Sequence, residues 1–128
     1  MKLKFLNPDK VEKNIKGTIH KSGKLGFTIQ AANKLQLNKG KSVGIAINED
    51  DESDKNLYIE IYSEKKEHSL PILKAGDYFY VNTKDLFDSL KFDYINNYIT
   101  FDISELEISG NVYFKFKFKE RKRKESIQ

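Results

Sequence analysis

Lysine and arginine are the residues of this sequence with the clearest chemistry, because their cationic side chains neutralise phosphate groups and release the counterions around nucleic acid. Between Lys115 and Glu125 there are seven basic residues against two acidic ones, whereas the whole 128-residue chain has a net charge of +4. The rest of the chain is therefore close to neutral. A basic segment of this kind binds nucleic acid or serves as a solubilising end, and both interpretations stay open.

Side chains that could support catalysis or hold a metal are sparse. The chain has no Cys, and no Ser, Asp or Glu stands at a recognisable motif spacing from His20 or His68. The acidic segment 49–54 alternates carboxylates as a calcium loop does, but that loop needs a Gly where Lys55 stands and a Glu where Ile61 stands. No glycine pattern forms a phosphate loop. The sequence therefore predicts a protein that is not an enzyme and that carries no metal or cofactor.

Alternation in the last apolar run separates two chemically different faces. Phe114, Phe116 and Phe118 share one face, and the other face carries Tyr113, Lys115, Lys117 and Lys119. One interpretation is a strand with a core side and lysines that prevent edge-to-edge aggregation. The other is a face that stacks bases and neutralises phosphates, to which Tyr58 and Tyr62 would contribute from an equivalent strand.

The elements that position these residues follow from period-two alternation, which indicates half-buried strands. In the first half it predicts strands over 14–20, 25–30, 43–47 and 57–61, with a turn over 21–24 and a helix over 31–36. In the second half it predicts strands over 68–74, 78–81, 98–108 and 112–118, with an edge strand or an interruption at Pro71 and a hairpin turn at Gly110-Asn111. A second helix is predicted from a cap at Asn82 or Thr83 to Leu90.

The two halves have the same order of apolar patterns, which predicts a diverged tandem ββαββ repeat. Leu35 and Leu37 align with Leu90 and Phe92, and the run 43–47 aligns with the run 99–103. The predicted fold class is mostly β with two short helices, forming a small barrel or a paired-sheet pseudo-dimer. The predicted divisions are an N-terminal arm (1–13), a first repeat (14–63), a second repeat (64–119) and a basic C-terminal tail (120–128).

One stretch of the first repeat resembles a known family. Ile19-His-Lys-Ser-Gly-Lys-Leu-Gly-Phe-Thr-Ile29, followed by Ala31-Ala-Asn-Lys-Leu-Gln-Leu37 and Lys39-Gly-Lys-Ser-Val43, is similar to the swapped-hairpin domain of AbrB-type transition-state regulators and antitoxins. The resemblance implies DNA binding, with Lys21 and Lys24 in the hairpin turn that faces DNA. It also implies that two repeats of one chain replace the usual dimer, although a homodimer stays open.

We therefore expect a non-enzymatic nucleic-acid-binding or regulatory protein resembling AbrB-type regulators, with DNA as its partner. The alternative is an interaction or assembly module that binds another protein through a strand edge. A third hypothesis is a single-strand binder that uses a Tyr and Lys sheet face. The absence of a membrane span or an apolar leader favours a cytoplasmic location. The expected phosphate-binding residues are Lys21, Lys24, Lys115, Lys117, Lys119, Arg121, Lys122 and Arg123.

Overall fold

The computed structural model describes residues 1–6 and 15–124, and the second range folds into antiparallel strands and two short helices. The strands are β1 (Lys16–Ile19), β2 (Leu25–Phe27), β3 (Ser42–Ala46), β4 (Leu57–Tyr62), β5 (Leu70–Pro71), β6 (Leu73–Ala75), β7 (Tyr78–Val81), β8 (Asn97–Ile108) and β9 (Asn111–Lys122); the helices are α1 (Ile29–Lys34) and α2 (Lys84–Ser89). The predicted mostly β fold with two short helices is confirmed. Parts of the predicted arm and tail lie outside the described residues.

The strands form one sheet that nearly closes on itself. Their order is β5-β3-β4-β9-β8-β1-β2-β7-β6, and every pairing is antiparallel. The two edge strands, β5 and β6, are separated in the chain by Ile72 alone, so the two edges of the sheet meet at this residue. Ile72 is buried, and its N–H donates to the Lys41 carbonyl at 3.0 Å. The result is a barrel-like sheet with an apolar interior.

The interior is filled by alternate residues from almost every strand, as a sheet with one buried face requires. Phe116 of β9 is fully buried, and its ring packs edge-on against Phe27 at 6.2 Å and tilted against Phe101 at 6.0 Å. Other fully buried side chains are Ile19, Leu25, Val43, Leu57, Ile59, Val81, Phe87 and Ile99. Burial of this face leaves the alternate polar and aromatic residues on the outside of the sheet.

Each helix begins at a threonine, but the two threonines act differently. The Thr28 hydroxyl accepts a hydrogen bond from the Ala31 N–H at 3.2 Å, so α1 begins two residues before its predicted start. Thr83 is at the predicted start of α2, yet its buried hydroxyl donates to the Gly23 carbonyl at 2.8 Å instead of capping the helix. Thr83 therefore holds the β1–β2 turn in place.

The pairings are related by an exchange of the two halves. Exchanging β1 with the β5–β6 segment, β2 with β7, β3 with β8 and β4 with β9 reproduces the pairings of the sheet, with the β2–β7 and β4–β9 pairings mapped onto themselves. Both helices also end in the same way: Gln36 and Lys91 take positive φ of 53° and 59°, and the next residues donate to carbonyls at equivalent helical positions. The tandem repeat stays a prediction that these regularities favour.

The C-terminal hairpin differs from its prediction in two respects. Its turn residues are Ser109 and Gly110, both with positive φ, and Asn111 pairs with Ile108 as the first residue of β9. The predicted turn at Gly110-Asn111 was therefore wrong by one residue, because a two-residue turn of this kind needs positive φ at both central positions. At its other end, β9 continues to Lys122, so residues 120–122, assigned to the tail, are paired in the sheet.

Candidate nucleic-acid interface

One row of outward-facing residues crosses four neighbouring strands. Arg121 of β9 is the register partner of Tyr98 of β8, and the pairing of Ile19 with Ile99 places His20 next to Tyr98. The His20 N–H donates to the Lys24 carbonyl at 2.9 Å, which places Lys24 next along the row. Because neighbouring strands are about 4.8 Å apart, the row is about 14 Å wide. Residues from the first hairpin and the last strand thus share one surface.

Cationic groups in this area lie over aromatic rings. The Arg121 and Arg123 guanidinium carbons lie 5.0 Å and 4.1 Å from the centroid of the Tyr98 ring, and the Lys24 ammonium lies 4.7 Å from that of Tyr80. Cation–π attraction holds a side chain in place without cancelling its charge. Arg123 is fixed further because its guanidinium donates to the Tyr94 carbonyl at 3.2 and 3.3 Å.

A tyrosine lies across the middle of this area because β2 has a glycine there. A Cβ atom at Gly26 would overlap the Tyr78 hydroxyl, which crosses β2 and hydrogen-bonds to Nε2 of His20. The Tyr78 and Tyr80 rings are nearly parallel, with an interplanar angle of 17° and centroids 6.1 Å apart. The basic–aromatic face is defined as Lys24, Arg121, Arg123, His20, Tyr78, Tyr80 and Tyr98.

The charges on this face affect the titration of His20. Burial of the imidazole, followed by the positive charges of Arg123 and Lys24, holds the pKa of His20 below its ordinary value. Burial also raises the pKa of the Tyr78 hydroxyl, which therefore stays protonated at neutral pH. An anion on the face would stabilise the imidazolium form of His20, because it would offset the two cations.

The residues predicted to bind phosphate are divided by the structure. Lys24, Arg121 and Arg123 come together on the basic–aromatic face, and Lys21 is exposed in the adjoining turn. Lys122 is exposed at a position that alternates with Arg121 and so points to the other side of the strand. Some of the predicted phosphate-binding residues therefore lie together on the basic–aromatic face, and others do not.

Three of the four lysines of β9 lie along the outside of the strand but have different neighbours. Lys115 pairs with Tyr58 of β4, and Lys117 pairs with Asp102 of β8. The Lys119 ammonium forms an ion pair of 2.5 Å with the Asp102 carboxylate, so much of its charge is offset. The predicted alternation of phenylalanines inward and lysines outward on β9 is confirmed by the burial of Phe116 against exposed Lys117.

The rings of the basic–aromatic face were not among the candidates drawn from the sequence, which named Tyr58, Tyr62 and Tyr113. Tyr78 and Tyr80 alternate with Phe79 and Val81, and that spacing indicates an outward position. The pairing of β2 with β7, which brings these rings next to Lys24, joins residues distant in sequence. Local alternation therefore identifies the rings but not the surface to which they belong.

No protein-family model, no curated protein and no solved structure matches this chain. Neither helix found in residues 1–6 and 15–124 is long and apolar enough to cross a lipid bilayer. The function of the basic–aromatic face is therefore inferred from its own chemistry.

Proposed function

We propose that this protein is a non-enzymatic nucleic-acid-binding protein and that the basic–aromatic face is the surface that contacts the phosphates. The observation that carries the proposal is the convergence of Lys24, Arg121 and Arg123 from opposite ends of the chain on one face. Each of these cations lies against a tyrosine ring, so its charge remains available to an anion. Lys119 is a weaker phosphate ligand because the Asp102 carboxylate offsets its charge.

We propose further that the protein is a DNA-binding regulator of the AbrB-like swapped-hairpin kind, with two repeats in one chain. The exchange of halves that reproduces the strand pairings of the sheet supports this proposal. The pairing of Leu57 with Phe116, where the two repeats meet, is the contact expected near an internal two-fold axis. Both residues are fully buried, so the two halves share one core.

The experiment that tests nucleic-acid binding is a salt series with labelled duplex and single-stranded oligonucleotides. The double variant Lys24→Glu with Arg121→Glu removes two cations from the face, and we expect the slope of log affinity against log salt to fall by about 1.4 to 1.8. The matched control is Lys39→Glu with Lys65→Glu, which makes the same change in net charge at exposed positions outside the face. Equal affinities for the two double variants would contradict the proposal.

A second candidate function is an interaction module that binds a protein, and the N-terminal segment favours it. Leu3, Phe5 and Leu6 are 71%, 89% and 78% exposed, and Lys2 and Lys4 separate the first apolar positions as in a strand. Such a segment can add to a sheet edge of another chain. Sedimentation of the full chain and of a chain lacking residues 1–6 tests this: self-association lost on truncation supports it, and a monomer in both cases opposes it.

A further inference from the structure

Two of the three tyrosines of the basic–aromatic face are exposed. Tyr78 and Tyr98 are 37% and 38% exposed, and both belong to strands whose alternate residues are in the core. A tyrosine ring that is exposed on a rigid sheet presents a large contact area at little cost in conformational entropy. Part of each of these two rings is therefore open to a flat ligand, which would meet the Tyr98 ring next to the guanidinium groups of Arg121 and Arg123.

The backbone beneath the rings is adapted to hold them in place. Gly26 leaves room for Tyr78 to cross β2, and contact with His20 fixes its hydroxyl end. Tyr80 lies beside Tyr78 in a nearly parallel orientation, with the Lys24 ammonium over its ring. Rings and cations thus alternate along the face, which suits a ligand that alternates flat groups with anions.

A nucleic-acid strand has that alternation, but only an unpaired strand exposes it. In a duplex the faces of the bases are stacked on one another, and proteins reach the base edges with a helix or a ribbon inserted in a groove. The basic–aromatic face lies on the outside of a barrel-like sheet, where rings meet base faces instead of edges. Unpaired bases stack on aromatic side chains, and cations beside the rings neutralise the phosphates.

We propose that the basic–aromatic face binds single-stranded DNA by stacking unpaired bases on Tyr78, Tyr80 and Tyr98. This inference rests on the proposed nucleic-acid binding and assigns its substrate class. We assign DNA because the face presents rings and cations. These groups are sufficient to bind a strand that has no 2′-hydroxyl groups. Along β8, the outward carboxylate nearest to Tyr98 is Asp102, four residues away, and it is already engaged by Lys119.

The test compares strands that share phosphates but differ in bases. Fluorescence anisotropy is measured with labelled oligodeoxythymidine of about 15 nucleotides, a length within the site sizes of known single-strand binders. The comparison probes are an abasic strand and a duplex of the same length. The intact protein should bind the thymidine strand roughly 5- to 150-fold more tightly than the abasic strand, the range that one stacked base contributes.

Variants then locate the stacking. The double variant Tyr80→Ala with Tyr98→Ala should lose most of the preference for thymidine over abasic strands, whereas Tyr80→Phe with Tyr98→Phe should keep it. Tyr62→Ala is the matched control, because Tyr62 also lies on the outside of the sheet but beside Glu60. Circular dichroism confirms that each variant is folded, and the abasic comparison on the unchanged protein decides the question if the alanine variant does not fold.

The outcomes separate this inference from the proposed function. Equal binding of thymidine and abasic strands, or tighter binding of the duplex, would overturn the single-strand inference and leave phosphate binding in place. Failure of every probe to bind would overturn both. Binding of oligouridine more than about tenfold tighter than oligodeoxyuridine would overturn the assignment to DNA, because it requires recognition of the 2′-hydroxyl.

Discussion

Two regions on the outside of the sheet share one construction and differ in charge. On the basic–aromatic face, Tyr78 lies over Gly26 of β2. On the other side of the barrel-like sheet, Tyr62 lies over Gly44 of β3, where an added Cβ would be 2.8 Å from the Tyr62 hydroxyl oxygen. In both places the glycine has no side chain and so leaves room for a tyrosine of the neighbouring strand.

The second region, named the acidic–aromatic face, consists of Asp54, Tyr58, Glu60 and Tyr62. The Tyr62 hydroxyl donates to the Glu60 carboxylate at 3.0 Å, and the Tyr58 hydroxyl donates to the Asp54 carboxylate at 2.9 Å. The carboxylates offset the nearby cations, Lys66 over the Tyr62 ring and Lys115 paired with Tyr58, whereas the cations beside the rings of the first face attract phosphates. Both faces therefore use the same packing of a tyrosine over a glycine. The charges around each ring determine whether it can contact an anionic ligand.

The largest expected loss of stability comes from truncating a buried side chain of β9, the strand that lies between the two faces. Phe116 of β9 is fully buried between Phe27 and Phe101. Phe116→Ala should lower the free energy of unfolding by about 3–5 kcal/mol, because it removes buried apolar contacts and leaves a cavity. Urea denaturation followed by circular dichroism measures the change, and both faces should be disrupted together.

A phenylalanine outside the sheet provides the control for that experiment. Phe5 is 89% exposed, so Phe5→Ala should change the free energy of unfolding by less than about 0.5 kcal/mol. If Phe116→Ala were as mild as Phe5→Ala, the common core of the two faces would be in doubt.

A smaller loss of stability is expected when either glycine is replaced by alanine, and it should differ between Gly26 and Gly44. Gly26→Ala should destabilise the fold by about 1–3 kcal/mol, because the new methyl group takes the space of the Tyr78 hydroxyl and displaces it from His20. Gly44→Ala should cost about 1 kcal/mol, near the lower end of that range, because Tyr62 has less distance to move. Thermal unfolding measures both, and the change in backbone entropy is common to the two sites.

A second substitution shows whether Tyr78 is the cause. Adding Tyr78→Ala to Gly26→Ala removes the overlapping ring and should recover part of the lost stability. A larger loss at Gly44 than at Gly26, or no recovery in the double variant, would mean that the tyrosine does not determine the cost.

Most of the fold was accessible from the sequence because alternation is a local property. The pattern through Leu57 and Ile59 predicts β4, and Pro71 predicts an edge strand or an interruption: it ends the edge strand β5, one residue before the break at Ile72. The errors lie where tertiary contacts or turn geometry decide. The sequence predicts a cap at Asn82 or Thr83, but the hydroxyl of Thr83, which is at the start of α2, donates to the distant Gly23 carbonyl. That contact joins residues 60 positions apart, and no local pattern shows it.

The candidate site was accessible only in part. Arg121 and Arg123 are predicted from the basic charge of the C-terminal segment, and Lys24 from the resemblance of its turn to AbrB-type domains. The separation of Lys119 from this group depends on its ion pair with Asp102, which follows from the register of β8 and β9. Tyr98 could not be assigned to the site without the pairing of β8 with both β9 and β1, because its neighbours on the face come from opposite ends of the chain.

The smallest effect is electrostatic and concerns His20. Lys24→Gln removes one of the two cations that lower its pKa, so the pKa of His20 should rise towards its ordinary value of 6.5. A nuclear magnetic resonance titration of the imidazole signals measures the shift. Lys66→Gln is the control, because the Lys66 ammonium lies over Tyr62 beside the acidic–aromatic face and should leave the His20 signal unchanged.

The sign of the effect on stability follows from the same shift. Because the pKa of His20 is lower in the folded state, the unfolded chain binds more protons as the pH falls through 6.5, and folding becomes less favourable there. Lys24→Gln should weaken this loss at acid pH. Bound DNA should act in the same direction as Lys24→Gln, because a phosphate beside His20 favours the imidazolium. A pKa of His20 that falls when the oligonucleotide is added would place the phosphates away from the basic–aromatic face.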